Sequence, residues 1–241
     1  MNILVTGGSS GLGASITKKL AASAGNLVYF TCPFDTPEKN IIEKEFSNTR
    51  GIICNFREEK DVDALVAQLD TFNLDVLVNN AWATKIIKKH YQKIDQQDFL
   101  NGFMFNIMPV IKITKELISR FRKKKFGKIV TVLTSSIVNK PPSGYSEYVA
   151  AKSYIASLCK SWANENAAFN ITSNCVSPSF MQTAFTDDTD ERIVEEMINS
   201  HPLKRILTPD EVADSVVFLV NSTQQINGIN LLMNAASDLS F

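Results

Sequence analysis

A tyrosine and a lysine stand four residues apart in this sequence, at Tyr148 and Lys152. On a helix, two side chains with this spacing share one face. Tyrosine has a pKa of about 10 and exchanges protons poorly at neutral pH, but a neighbouring cation favours the phenolate and lowers that pKa. The pair predicts an acid–base centre in which Tyr148 is the acid or base and Lys152 tunes it. Taken alone, the spacing is more typical of an ordinary surface pair, so the neighbouring motifs decide its interpretation.

Hydroxyl side chains precede this pair, at the end of the apolar run 128–133. A substrate carbonyl needs a second donor that orients it and stabilises the charge developing on its oxygen. Ser135 and Ser136 both fit this role, and Thr134 is a third candidate.

A glycine-rich turn follows the first apolar run of the chain and opens a helical pattern. Glycine lets the backbone turn tightly and approach a pyrophosphate, and a helix N-terminus offers unpaired N–H groups and a positive dipole. The turn therefore predicts a phosphate site built from Gly7, Ser9, Ser10, Gly11, Leu12 and Gly13. The chain thus carries a phosphate site, then a hydroxyl, then the tyrosine–lysine pair. This order indicates hydride transfer between a nicotinamide and a carbonyl or alcohol.

The elements that must position these groups form a regular alternation of strands and helices. Seven short apolar runs lack in–out alternation, which predicts strands covered on both faces and therefore a parallel sheet. We expect one α/β domain over residues 1–241, a doubly wound Rossmann sheet with right-handed crossovers. The strands are predicted at 3–6, 27–31, 51–54, 76–79, 128–133, 171–176 and 229–233, and helices at 11–24, 58–69, 96–124, 147–166 and 210–220. Thr208 as N-cap and Pro209 at the first helical position are the start signals of the last helix.

Composition narrows the class of protein. Lys and Arg together number 25, as do Asp and Glu, so the formal net charge is zero and indicates neither a nucleic acid nor a membrane partner. The 4 cysteines have no metal-type spacing and are typical of reduced, packed thiols. The chain has no signal-like N-terminus and no run long enough to span a bilayer, so we expect a cytoplasmic protein.

One segment, residues 182–201, interrupts the strand–helix rhythm with threonine and acidic residues. It follows the carboxyl end of a predicted strand, which is where open α/β sheets bind their ligands. We therefore expect a substrate lid there.

The chain resembles the short-chain dehydrogenase/reductase family over nearly its whole length. Its glycine turn has the spacing T-G-x-x-x-G-x-G, unlike the common dinucleotide fingerprint. Four further motifs resemble those of the family in the correct order: Asn79-Asn80-Ala81, Asn106 in a long central helix, Tyr148-x-x-x-Lys152, and Val176-Ser177-Pro178 with Thr183. The segments 202–205 and 208–213 are similar to its C-terminal signature.

This resemblance implies roles for particular residues. The family's serine precedes its tyrosine by thirteen residues, which selects Ser135 over Ser136. Asn106 would kink its helix and support a water relay from Lys152, and Lys152 would also hold the nicotinamide ribose. The implied cofactor-binding residues, besides the glycine turn, are Thr31, Asn55, Phe56, Asn80, Ala81, Tyr148, Lys152, Pro178 and Thr183.

The end of the second strand bears on the choice of cofactor. An acidic residue there would bind the adenosine ribose and repel a 2′-phosphate, but none occurs before Asp35. This favours NADP over NAD, although no lysine or arginine stands beside the turn to pair with the phosphate; Thr31 and the turn serines remain as weaker partners.

The sequence also departs from the family pattern. Trp82 stands where the family has glycine, and residues 234–236 replace an acidic-glycine-glycine ending. We expect reduction of a ketone, in particular a 3-oxoacyl thioester, by a divergent ketoacyl-carrier-protein-reductase-like member. The alternatives are a nicotinamide-binding regulator or scaffold with little turnover, and an NAD-dependent alcohol dehydrogenase or epimerase.

Two further expectations concern partners. The basic run 122–128 lies at a helix C-terminus, where cations suit the helix dipole; the other interpretation is docking of an acidic carrier protein that holds the substrate. The resemblance implies a homo-oligomer, a tetramer or equally a dimer, through helices 96–124 and 147–166.

Overall fold

Seven strands form one parallel sheet in this computed structural model, which describes residues 1–183 and 186–237. The sheet order is β3-β2-β1-β4-β5-β6-β7, as the doubly wound prediction requires. The strands are β1 Asn2–Val5, β2 Leu27–Cys32, β3 Thr49–Ile53, β4 Val76–Asn79, β5 Gly127–Val132, β6 Ile171–Pro178 and β7 Asn230–Met233.

The order of the strands reverses between β1 and its neighbour β4, which creates a crevice at the carboxyl edge of the sheet. The glycine turn leaves β1 at this point. The crevice is therefore placed by topology directly above the predicted phosphate site.

Helices cover both faces of the sheet. They are α1 Gly11–Ala21, α2 Pro37–Glu45, α3 Glu59–Gln68, α4 Gln96–Gly102, α5 Met108–Lys124, α6 Ser146–Asn166, α7 Glu191–Ser200 and α8 Pro209–Asn221. A π-helical turn, Phe103–Ile107, joins α4 to α5 and makes the two nearly one long helix. No helix of residues 1–183 or 186–237 is both long and apolar enough to cross a membrane.

Alternating side chains along each strand build two apolar layers. Ile3 and Val5 of β1 point to the face where α1 and α8 pack together. Leu4, between them, points to the opposite face and packs with residues of α3 and α5. Both faces are thus buried, which explains why the strand runs are continuously apolar.

Several predicted boundaries and elements need correction. α1 ends at Ala21 rather than residue 24, and β3 begins at Thr49 rather than residue 51. The sequence analysis missed α2, although Thr36 and Pro37 are ordinary start signals and the Thr36 hydroxyl does accept the Lys39 N–H. It also missed α7, which occupies the second half of the segment expected to be a lid; residues 184 and 185 of that segment lie outside the described residues.

The start of α8 follows the sequence signals. The Thr208 hydroxyl accepts the Glu211 N–H at 3.3 Å, and the Glu211 carboxylate accepts the Thr208 N–H at 2.9 Å, which forms a reciprocal capping box. Arg205 also pairs with Glu211. This contact is the largest cause of the lowered pKa of the Glu211 carboxyl, which is about 2.

We expect Thr208→Ala to lower the free energy of unfolding by about 1 kcal/mol, because α8 loses its N-cap acceptor and packs directly on α1. Urea unfolding followed by circular dichroism measures this change. The matched control is Thr71→Ala, an exposed threonine whose hydroxyl donates only to the Gln68 carbonyl. That control should stay within about 0.5 kcal/mol of the parent; equal losses in both variants would contradict the capping role.

Candidate active site

A cavity of about 1190 Å³ opens at the carboxyl edge of the sheet. It runs from the glycine turn, past Tyr148 and Lys152, to the segment before α7. Every residue predicted to bind the cofactor lines it, as do Ser135 and Ser136. Of the predicted site residues only Asn106 does not line it. The volume exceeds that of an ordinary drug-sized site and suits an extended dinucleotide together with a substrate.

The glycine turn is held in shape from two sides. Gly7 has a φ of 63°, its N–H donates to the Thr31 hydroxyl at 2.9 Å, and its carbonyl accepts from the Asn80 amide at 3.0 Å. A Cβ at Gly13 would lie 1.9 Å from the Gly7 carbonyl oxygen, so only glycine fits there. Thr31, which we expected as a weak phosphate partner, already uses its hydroxyl oxygen to fix the turn.

The N-terminus of α1 faces this turn and keeps its own donors free of side-chain capping. Ser10 occupies the N-cap position, but its side chain makes no capping hydrogen bond, and the first turn of α1 carries no acidic residue. The first N–H groups of a helix have no intrahelical acceptor. Together with the absent Cβ at Gly13, this makes a cradle that fits a pyrophosphate.

Tyr148 and Lys152 lie at the inner end of the cavity, on one face of α6 as their spacing predicts. The Tyr148 hydroxyl hydrogen-bonds with the Thr134 hydroxyl. The Lys152 ammonium donates to the Val132 carbonyl at 2.8 Å, and Trp82 covers it: the ammonium nitrogen is 4.7 Å from the centre of the indole ring.

The pKa values differ from the sequence expectation. Burial raises the pKa of Tyr148 well above its ordinary value, and the hydrogen bond with Thr134 opposes this only in part. Burial also lowers the pKa of Lys152 to about 8. We expected Lys152 to lower the pKa of Tyr148; in the structure its ammonium lies 5.9 Å from the centre of the tyrosine ring, and burial is the largest influence on that pKa.

Three hydroxyl residues stand at the end of β5, and the structure separates their surroundings. Thr134 hydrogen-bonds with Tyr148, and its hydroxyl also accepts the Ser136 N–H at 3.3 Å. Ser135 is buried and lines the cavity, and Ser136 is partly exposed in the same wall. Thr134, ranked third from the sequence, is thus the hydroxyl that contacts Tyr148.

Asn106 is fully buried in the π-helical turn. Its side-chain oxygen accepts the Ala83 N–H at 2.7 Å, and its amide donates to the Thr84 hydroxyl at 2.9 Å. It therefore fixes the loop after β4, which carries Trp82. The expected irregularity of the helix is present, and a polar residue in the middle of an apolar helix was its signal.

The adenosine end of the cavity has no carboxylate at the end of β2. Cys32, Pro33 and Phe34 line it, while Asp35 lies 3.3 Å from Lys39 in an ion pair. Arg57 also lines the cavity, which sequence reasoning missed although it directly follows Asn55 and Phe56.

The opposite end of the cavity carries several apolar side chains among polar ones such as Thr186 and His201. Its wall includes side chains that sequence reasoning did not single out, namely Ile86, Phe180, Met181, Ile193, Met197 and Ile206. The amphipathic sequence of α7 was the signal for two of them. The Lys88 ammonium, on the loop after β4, pairs with Asp188 at 2.7 Å and so connects that loop to the segment before α7.

The basic run 122–128 lies away from this cavity. It spans the end of α5 and the start of β5, at the amino edge of the sheet. Lys124 pairs with Asp75, Arg122 donates to Asn166 at 2.6 Å, and buried Lys128 donates to the Val220 carbonyl at 2.7 Å. Three residues of the run therefore have structural contacts, and no residue of the run lines the cavity.

Comparisons with known proteins cover almost the whole chain. A family model described as enoyl-(acyl carrier protein) reductase matches residues 7–235. The 3-oxoacyl-(acyl-carrier-protein) reductase of Vibrio harveyi is 31% identical over 238 residues, covering 96% of this chain and 94% of that protein. The L-fucose dehydrogenase of Bos taurus is 28% identical over 251 residues, covering 99% and 90%.

A solved structure shows the same fold. The structure of the 3-ketoacyl-(acyl-carrier-protein) reductase of Brucella melitensis, complexed with NADH, matches with a TM-score of 0.88 and 24% sequence identity. The match covers 99% of this chain and 98% of that one.

We expect Gly13→Ala to lower the free energy of unfolding by about 1–3 kcal/mol, because the new methyl group meets the Gly7 carbonyl, which cannot rotate away. Binding of a dinucleotide, measured by calorimetry, should weaken at least about tenfold as the cradle shifts. Gly25→Ala is the matched control, since nothing lies within 4 Å of a Cβ added there. Unchanged stability and binding in Gly13→Ala would contradict this account of the turn.

Proposed function

Because this chain belongs to the short-chain dehydrogenase/reductase family, we propose that it reduces a ketone to a secondary alcohol with NAD(P)H. The observation that carries the proposal is the pairing of Tyr148 with Lys152 at the inner end of one cavity whose other end is the glycine cradle. Phosphate binding and proton transfer are thus available to a single extended ligand and its substrate.

The cradle fits the cofactor, and a bound dihydronicotinamide would supply the hydride. The glycine turn and the N-terminus of α1 would hold its pyrophosphate, as the unpaired donors and the excluded Cβ support. Asn55 and Phe56 would contact the adenine, and Lys152 the ribose nearest Tyr148. Asn80, Ala81, Pro178 and Thr183 would complete the binding wall.

Tyr148 is proposed to give its hydroxyl proton to the carbonyl oxygen of the substrate. Its hydroxyl is protonated at neutral pH, as a proton donor must be; because burial raises its pKa and so weakens it as an acid, neighbouring groups must stabilise the phenolate. Ser135 would donate a hydrogen bond to the same oxygen. The Thr134 hydroxyl stabilises the phenolate that remains, and the Lys152 ammonium favours it electrostatically.

Asn106 contributes through the loop that it holds. Its contacts with Ala83 and Thr84 fix the backbone beside Trp82, close to Lys152. In our proposal its helical turn also supports the water relay that returns a proton through Lys152 to Tyr148.

NADP is the proposed cofactor, with NAD as the weaker candidate. The end of β2 offers cysteine, proline and phenylalanine to the adenosine ribose, and Asp35 is engaged by Lys39. Among the residues described as lining that end, therefore, no carboxylate would repel a 2′-phosphate.

A 3-oxoacyl thioester is the proposed substrate, free or bound to a carrier. The apolar side chains at the α7 end of the cavity suit an acyl chain, and the name of the Vibrio harveyi relative agrees with this class. Residues 182–201 would act as its lid, with the ion pair between Lys88 and Asp188 closing one side.

We also propose a cytoplasmic homo-oligomer, a tetramer or a dimer. The four cysteines are free thiols, as in a reducing compartment. Leu100, Met104 and Tyr154 are about half exposed on the surface formed by α4, the π-helical turn and α6, which is the surface that the family resemblance assigns to subunit contacts.

We expect Tyr148→Phe to lower kcat for ketone reduction by about 10²–10⁴-fold, because the substrate oxygen loses its proton donor. NADPH oxidation over a panel of ketones and 3-oxoacyl thioesters, followed by absorbance, measures this. Tyr154→Phe, on the same helix but facing Phe103, should retain full activity. Cofactor binding without turnover in the parent protein would favour the regulatory alternative, and faster turnover of alcohols with NAD would favour the oxidative one.

The three hydroxyl residues give a second test. We expect Ser135→Ala to reduce kcat about 10²–10³-fold, through loss of the donor to the carbonyl oxygen. Ser136→Ala should have little effect. Thr134→Val should chiefly move the pH dependence, since the hydrogen bond with Thr134 lowers the pKa of Tyr148. A larger loss in Ser136→Ala than in Ser135→Ala would reverse our choice of serine.

A further inference from the structure

Trp82 contacts both groups that are proposed to move protons. Its indole ring meets the Tyr148 ring edge-on, with 4.9 Å between the ring centres and an angle of 74°. The Lys152 ammonium lies over the same indole ring, 4.7 Å from its centre. One side chain therefore touches both members of the pair.

Lys152 has few other partners in this position. Its side chain is buried, and among the residues of the described chain its ammonium donates a hydrogen bond only to the Val132 carbonyl. An ammonium has three donors, so a buried lysine with one acceptor needs further stabilisation. An aromatic face supplies it without removing the proton.

The backbone on each side of Trp82 is fixed. The Ala81 N–H donates to the Thr6 hydroxyl at 3.1 Å, and the Ala83 N–H donates to Asn106 at 2.7 Å. The indole N–H itself has no hydrogen-bond partner among the described residues. The ring is thus oriented by a rigid backbone and by its packing against Lys152 and Tyr148.

On this geometry, and resting on the proposed function, we propose that Trp82 is a positioning residue: its indole holds the Lys152 ammonium by a cation–π contact and sets its place beside Tyr148. The family's glycine at this position could make neither contact. In this chain, therefore, a side chain of the loop after β4 positions Lys152, which a glycine at residue 82 could not do.

The contact has a consequence for pH dependence. An aromatic face stabilises the charged form of lysine and so raises its pKa, whereas burial lowers that pKa. The other titratable groups that face Lys152 are Tyr148 and Cys159 on α6 and Cys175 on β6. Removal of the indole should leave desolvation less opposed and lower the pKa of Lys152.

The first test is the pH profile of kcat/KM for ketone reduction in the parent, Trp82→Phe and Trp82→Leu. Activity that needs protonated Lys152 falls as the pH rises through its pKa. In Trp82→Leu we expect this alkaline limb to move about half a unit to one unit towards lower pH. Trp82→Phe keeps an aromatic face and should move it less. An unmoved limb in Trp82→Leu, or equal shifts in both variants, would overturn the proposal.

The second test needs neither cofactor nor turnover. The chain has 2 tryptophans, so Trp162→Phe leaves Trp82 as the sole indole. Its emission should change with pH as Lys152 loses its proton, and Lys152→Met should abolish that change while Cys159→Ser retains it. A change that survives in Lys152→Met would overturn the contact. If the parent protein turns over no ketone, the proposed function fails, and this titration still decides the role of Trp82.

Discussion

Desolvation of Tyr148 and Lys152 is the constraint on which the rest of the site depends. Both side chains are taken out of water by the same inner end of the cavity, which raises the pKa of the phenol and lowers that of the ammonium. The two shifts bring the pair towards its neutral state. The charged forms of the two side chains must then be stabilised at short range, because solvent contributes little. The Thr134 hydroxyl does this for Tyr148, and the Val132 carbonyl and the Trp82 ring do it for Lys152.

The cradle and this acid–base pair are mechanically connected through the loop after β4. Asn80 donates to the Thr6 and Gly7 carbonyls, so it ties the loop to the glycine turn. Asn106 ties the other end of the loop to the π-helical turn. Trp82 therefore stands on a loop that is anchored at both ends. Half-buried Asn80 and fully buried Asn106 thus satisfy backbone groups of the glycine turn and of the loop after β4.

Local sequence rules predicted the parts of the molecule that depend on local physics. Continuous apolar runs identified the seven strands, and Thr208 with Pro209 identified the start of α8, since each signal is contained in a few residues. Element ends were less accurate, as at Ala21, because fraying and packing set them. The position of Arg57, the apolar wall near α7 and the role of Thr134 all depend on where distant segments meet, which spacing along one chain does not encode.

The surroundings of Tyr148 likewise depend on where distant segments meet. Spacing on a helix correctly put Lys152 on the face of Tyr148, and a charge at that range lowers a tyrosine pKa in water. Burial acts in the opposite direction and raises the pKa of Tyr148, while the ammonium lies 4.7 Å from the centre of the Trp82 ring and 5.9 Å from that of Tyr148. A phenol with a raised pKa stays protonated but is a weaker acid, so proton transfer from it requires stabilisation of the phenolate. We propose that the Thr134 hydroxyl, whose hydrogen bond lowers the pKa of Tyr148, supplies part of that stabilisation.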